Sequence, residues 1–94
     1  MRFLSWSPSF KRAFRRYNQR HPQARITIEI TIRNLVEDPF TPSLDTHKLK
    51  GDLSGLWACS VAHDCRIVFE FISVKGLNED GILLVDIGTH DEVY

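Results

Sequence analysis

Residues 24–39, "ARITIEITIRNLVEDP", admit two readings, and the fold turns on which one holds. Ile26, Ile28, Ile30 and Ile32 alternate with polar residues, and their β-branched side chains favour a strand. Yet Ile28, Ile32, Leu35 and Val36 also form a helical stripe, and the run from Gln23 to Asp38 is long for a strand. The pattern leaves both open. Asp38-Pro39 closes the element in either case, because the residue before a proline is pushed out of the helical region. "FTPSLDT" follows as loop.

Upstream, the sequence is easier to read. Arg2 to Trp6 forms a short candidate strand, and Ser7-Pro8 has the pattern of an N-cap followed by proline at the first helical position. Phe10, Ala13, Phe14 and Tyr17 then recur at i, i+3, i+4 and i+7, the signature of an amphipathic helix that His21-Pro22 ends. Its other side carries Lys11, Arg12, Arg15 and Arg16. Trp6 reads as core.

Downstream, Gly51 and Gly55 mark turns, and Leu56–Val61 and Arg66–Ile72 read as an antiparallel hairpin joined through Ala62-His63-Asp64-Cys65. "SVKGLNEDG" is a second turn, and Ile82–Ile87 a third strand. Helices early and strands late predict an α+β fold, with a short N-terminal strand and helices packed on one face of an antiparallel sheet. The functional surface is then the sheet's other face or its edge.

Ninety-four residues predict one domain spanning 1–94, with a modest core. Hydrophobic residues at 43% and charged residues at 26% place the chain among ordinary globular proteins and outside the disordered class. No window has the run of about 18 to 20 apolar residues that spans a membrane, and "MRFLSWSPSF" lacks the pattern of a signal peptide. The expected location is the cytoplasm, with no membrane partner. Cys59 and Cys65 are too few for a disulfide framework and are expected to be reduced thiols.

A net charge of zero conceals a segregation. Arg2, Lys11, Arg12, Arg15, Arg16, Arg20 and Arg25 stand in the first 25 residues with no acid, while all twelve acids lie beyond them. Such a segment fits a polyanionic partner, or a solvated helix face balanced by the acidic remainder.

Residues able to do acid/base work gather in "DTHKLKG", "AHDCR" and "GTHDEVY". Histidine is the side chain whose unperturbed pKa lies nearest neutrality, and chemistry at phosphorus also needs cations such as Lys48, Lys50 and Arg66. A metal-free ribonuclease needs these parts: a base for the 2′-hydroxyl, cations for the pentacoordinate phosphorus, and an acid for the departing 5′-oxygen. Plainer readings stand beside this one. His47 and His90 can be surface histidines at element ends, Arg66 can pair with Asp64 or Glu70, and Tyr94 and Trp57 can cover core. Cys59, His63 and Cys65 give a Cys-x3-His-x-Cys spacing without the paired Cys-x2-Cys unit usual for zinc, so no metal is expected. Nothing matches a phosphate-binding glycine loop, a nucleophile elbow or a catalytic cysteine motif.

"HKLKGDLSGLWACSVAHDCRIVFEF" followed by "ILLVDIGTHDEVY" resembles the RelE/ParE superfamily of type II toxins, and most nearly its YafQ-like branch of mRNA interferases. The marks are His-x-Leu-Lys-Gly-x-Leu-Ser-Gly, a strand bearing Arg-Ile-Val-Phe, and a closing Gly-Thr-His with an aromatic residue four places after the histidine. The resemblance implies a RelE-like microbial RNase fold with a second helix over roughly residues 23–38. It also implies a ribosome-dependent endoribonuclease that cuts mRNA in the A site without cofactor or metal, leaving a cyclic phosphate and a 5′-hydroxyl. His47 and His90 match acid/base positions of that branch, Arg66 a strand arginine aimed at the scissile phosphate, and Tyr94 a terminal aromatic that orients the nucleotide. Asp64 matches an acidic residue before that strand. Lys48 and Lys50 add phosphate contacts, and the basic first helix with Lys11, Arg12, Arg15 and Arg16 contacts ribosomal RNA. The implied partners are the ribosome, mRNA and a cognate antitoxin in a hetero-oligomer. The chain departs from the family in its neutral charge, in Asp91-Glu92 beside His90, and in the hairpin histidine, for which His63 is only nearby. The alternative function is a non-enzymatic ParE-like toxin directed at DNA gyrase, or an RNA-binding module without turnover.

Overall fold

Ser7 starts the first helix as its spacing predicts: the hydroxyl accepts a hydrogen bond from the Phe10 amide at 3.0 Å, and Pro8 occupies the first helical position. In the computed structural model, which describes residues 2–62, 64–74 and 79–94, β1 (Phe3–Trp6) leads into helix α1 (Pro8–Arg20). A 3₁₀ turn at Pro22–Ala24 then enters helix α2 (Arg25–Glu37). The 24–39 stretch is therefore helical. Ile28, Ile32 and Leu35 face the core at 0, 5 and 0% exposure, whereas Ile26 and Ile30 remain 70 and 49% exposed. Burial thus follows the period of 3.6 and not the alternation.

Beyond α2 the chain forms β2 (His47–Lys48), β3 (Trp57–Ala62), β4 (Cys65–Val74), β5 (Glu79–Gly88) and a one-turn helix, α3 (His90–Val93). The sheet order is β1-β5-β4-β3-β2. Strands β3, β4 and β5 form the expected antiparallel meander, β2 extends it as an unforeseen antiparallel edge strand, and β1 joins the far edge in parallel with β5. That parallel pairing makes the sheet mixed, and it needs the long helical crossover that α1 and α2 provide. The tip of the second predicted turn, residues 75–78, lies outside the described residues, and its flanks belong to β4 and β5.

Phe10 and Ala13 of α1 and Ile28, Ile32 and Leu35 of α2 pack on Cys59, Ile67, Phe69, Ile82 and Leu84 of the sheet. Helix α1 is pinned to β5 where the Ser7 amide donates to the Leu84 carbonyl at 3.1 Å and the Ser9 hydroxyl to that of Val85 at 2.8 Å. Trp6 is only half-buried, with its ring edge-to-face against Phe10 and Phe14. Both thiols are free and buried in this core, and burial pushes that of Cys59 up to about 12. No helix among the described residues is long and apolar enough to cross a membrane.

Candidate active site

His47 owes its position to a reversal of the chain just before it. After the 3₁₀ turn Pro42–Leu44, Asp45 adopts a left-handed conformation (φ 49°), one that Asp tolerates better than most residues. His47 then pairs with Ala58 across β2 and β3, while Ser60, two residues along β3, pairs with Arg66 of β4. Directly opposed residues share a face, as do residues two apart on one strand, so His47 and Arg66 stand on the same side of the sheet. Trp57 and Cys59 occupy the other side, against the helices. The histidine and the arginine are thus displayed on the face that the helices leave free.

The His47 ring is held by its own loop. Its Nδ1 lies 2.9 Å from the Asp45 carbonyl oxygen, which can only accept, so Nδ1 carries the proton. In the neutral ring Nε2 is then a lone pair, and it faces the Tyr94 hydroxyl at 3.5 Å. This is the tautomer a general base requires.

β5 runs one residue past the predicted end at Ile87, to Gly88, and Thr89 then caps a single helical turn that the sequence reading did not include. The Thr89 hydroxyl accepts from the Glu92 amide at 3.3 Å, and the Glu92 carboxylate accepts from the Thr89 amide at 2.9 Å, a capping box. Two other elements tether the turn. Asp64, in the β3–β4 connection, accepts from the His90 amide at 3.4 Å, and Arg20 of α1 pairs with Glu92 at 3.2 Å. Val93 is buried, and a side chain at Gly88 would meet Glu92 and Val93 at 3.1 to 3.3 Å. Hydrogen bonds from Thr89 hold the Glu92 carboxyl below its ordinary range, helped by Arg20 and Arg16. The acidic neighbours of His90 thereby acquire distinct surroundings: Glu92 turns to Thr89 and Arg20, and Asp91 sits 3.5 Å from His90 Nδ1.

Tyr94 joins the parts. Its ring stands edge-to-face with that of His90 at 4.6 Å, and its hydroxyl points at His47. Burial raises its pKa, against the opposing charge of Arg66, so the phenol stays a neutral donor near pH 7. It also lines a groove of about 340 Å³ together with Leu49, Lys50 and Leu53. The Arg66 guanidinium donates to the carbonyls of Ala62 and Cys65, each at 3.2 Å. Among the described residues it makes no ion pair, neither with Asp64 nor with Glu70.

His47, Asp64, Arg66, His90, Tyr94 and Lys50 are therefore brought to one region. Lys48 is not among them: it pairs with Trp57 on the opposite side of β2, and its ammonium lies 5.4 Å from the centre of that ring. Lys11, Arg12, Arg15 and Arg16 are exposed on α1, away from His47. Thr89, Glu92, Arg20 and Gly88 hold the turn in place, a role the sequence reading did not assign them. The Thr-x-x-Glu spacing was the signal for Thr89 and Glu92. Among the described residues no group of three or more His, Cys, Asp or Glu could hold a metal ion, and His63 of the Cys-x3-His-x-Cys spacing lies outside them.

A mixed sheet with two helices on one face, and a histidine, an arginine and an aromatic residue displayed on the other, agrees with the fold of RelE-like toxins. The chain belongs to the family of bacterial toxins of type II toxin-antitoxin systems called YafQ, whose model matches residues 2–94. It resembles the crystal structure of YafQ from Escherichia coli, with a TM-score of 0.78 over 100% of this chain and 99% of that one at 14% identity. It also resembles the toxin of the E. coli DinJ-YafQ toxin-antitoxin complex (TM-score 0.75, 15% identity, covering 99 and 97% of the two chains). A YoeB/ParE toxin from Agrobacterium tumefaciens gives a TM-score of 0.73 at 22% identity, covering 94 and 98%. No curated protein sequence matches the chain.

Proposed function

We propose that this toxin is a ribosome-dependent endoribonuclease that cuts mRNA in the A site without a metal ion. Toxins of the YafQ family are endoribonucleases. The observation that carries the reading is the state of His47: Nδ1 is committed to the Asp45 carbonyl and Nε2 is open toward Tyr94 and the exposed sheet face. His47 Nε2 takes the proton of the 2′-hydroxyl as its oxygen bonds to phosphorus. Arg66 and Lys50 stabilise the charge on the equatorial oxygens. His90 gives a proton to the 5′-oxygen as the phosphorus–oxygen bond breaks, with Asp91 3.5 Å from its Nδ1. Tyr94 withdraws its hydroxyl from His47 when the nucleotide enters and stacks on it. The products are a 2′,3′-cyclic phosphate and a 5′-hydroxyl.

Lys11, Arg12, Arg15 and Arg16 supply phosphate contacts with ribosomal RNA, so binding weakens as salt rises. The toxin works in the cytoplasm, as one domain, and is silenced in a hetero-oligomer by a cognate antitoxin that covers the His47 face. End analysis of the cut RNA tests the chemistry. A cyclic phosphate on the upstream fragment is expected, and a 3′-hydroxyl there would exclude attack by the 2′-oxygen.

A further inference from the structure

The basic residues of α1 do not form one patch. Arg16 and Arg20 run toward α3, where Arg20 pairs with Glu92 and the charge of Arg16 reaches the same carboxylate. Lys11 and Arg15, one turn apart, face the other way and line a groove of about 520 Å³ between α1 and the start of α2. Half-buried Trp6 and Phe14, crossed edge-to-face at 5.3 Å, form its apolar floor. Arg25 supplies a third cation, and Asn18 and Gln19 add amides that can both donate and accept.

Among the described residues Lys11 and Arg15 make no ion pair, and Arg25 meets Glu29 through Nε at 3.2 Å, leaving its terminal nitrogens to other partners. A cationic rim alone fits any polyanion. An aromatic floor beneath it fits one that carries flat apolar groups, which is single-stranded nucleic acid. The volume lies within the range of about 300 to 1,000 Å³ of small-ligand clefts, enough for a nucleotide or two.

We infer that this groove is a second RNA site, separate from the His47 face, which clasps an unstacked nucleotide with its base against Trp6 and Phe14 and its flanking phosphates on Lys11, Arg15 and Arg25. The inference rests on reading the chain as an RNA-directed toxin, but not on the catalytic roles. It divides the work of α1: the Lys11–Arg15 side grips a base, while the Arg16–Arg20 side braces α3.

The test is fluorescence anisotropy of the full chain with a labelled 2′-O-methyl single strand of about ten nucleotides, which cannot be cut, beside an abasic strand of equal length and an oligoglutamate peptide. The base-bearing strand should bind at least about tenfold more tightly than the abasic one, the contribution of a stacked base. K11Q/R15Q should erase most of that preference and lower the salt slope by about 1.4, as expected for two single-strand phosphate contacts. R12Q/R16Q should weaken both strands alike. Equal affinity for the abasic strand, or a base preference that survives K11Q/R15Q, would overturn the site. So would an oligoglutamate peptide that competes as well as RNA, since the groove would then hold an acidic protein segment. Cleavage by the wild-type chain is scored separately: loss of the groove's base preference with cleavage intact would overturn the site alone, and a base preference without cleavage would overturn the catalytic reading alone.

Discussion

At His47 one hydrogen bond decides the chemistry. Because the Asp45 carbonyl claims Nδ1, the neutral ring can act as a base only through Nε2, and the group facing Nε2 is the Tyr94 hydroxyl. Tyr94→Phe keeps the ring against His90 and removes that hydroxyl. Because that hydroxyl leaves His47 when the nucleotide enters, Tyr94→Phe should keep kcat and KM within about twofold of wild type, whereas Tyr94→Ala should lower kcat and raise KM through the lost stacking surface. Single-turnover cleavage of ribosome-bound mRNA separates the two. The histidines, Arg66 and Tyr94 were legible as residues, because acid, base, cation and aromatic occur at spacings the family shares. Their surroundings were not. Whether Arg66 is spent on Asp64 or Glu70, and whether Asp91 and Glu92 both crowd His90, depends on tertiary contacts that no spacing encodes.

Two elements were not legible from periodicity, for different reasons, although the resemblance implied the first of them as a helix. In α2 alternation and helical periodicity coincide over four isoleucines, and only packing separates Ile28 and Ile32 from Ile26 and Ile30. Ile30→Lys should therefore leave the denaturation midpoint within about 0.5 kcal/mol of wild type, while Ile28→Lys should unfold the chain by burying an unpaired charge. A strand would have made both substitutions equally damaging, and urea titration distinguishes the cases. Helix α3 is too short to show any periodicity, and it holds together through its cap and its tethers to α1 and the β3–β4 connection. Thr89→Ala removes the cap, worth about 1 kcal/mol locally, so His90 and Tyr94 should lose their fixed positions. Cleavage should drop at least about tenfold, with the global melting temperature nearly unchanged, and Thr89→Ser should restore it. If Thr89→Ser stays as inactive as Thr89→Ala, the cap is not what positions the turn.

Across the whole molecule, the helices pack on one face of the sheet, which was legible from helices early and strands late, and the proposed site lies on the other. The parallel addition of β1 was not legible, because four residues carry no record of which edge they join. The sealed core also sets a pH limit. Cys59 titrates near 12 when folded against an ordinary value of 9, and the Cys65 thiol and Tyr17 phenol are raised too, all chiefly by burial. The folded state therefore holds protons that the unfolded chain gives up, so stability is full below about pH 8.5 and falls as pH climbs toward 12. Thermal melts should show this decline, and Cys59→Ala should make it shallower. On the free face the central claim is that His47 and His90 together move the two protons of RNA cleavage. Primer extension on a defined mRNA in a translating extract tests it most directly. Wild-type protein should produce cuts at the A-site codon and His47→Ala/His90→Ala none, whereas cuts by the double variant at the wild-type rate, or intact mRNA with wild-type protein, would contradict the account.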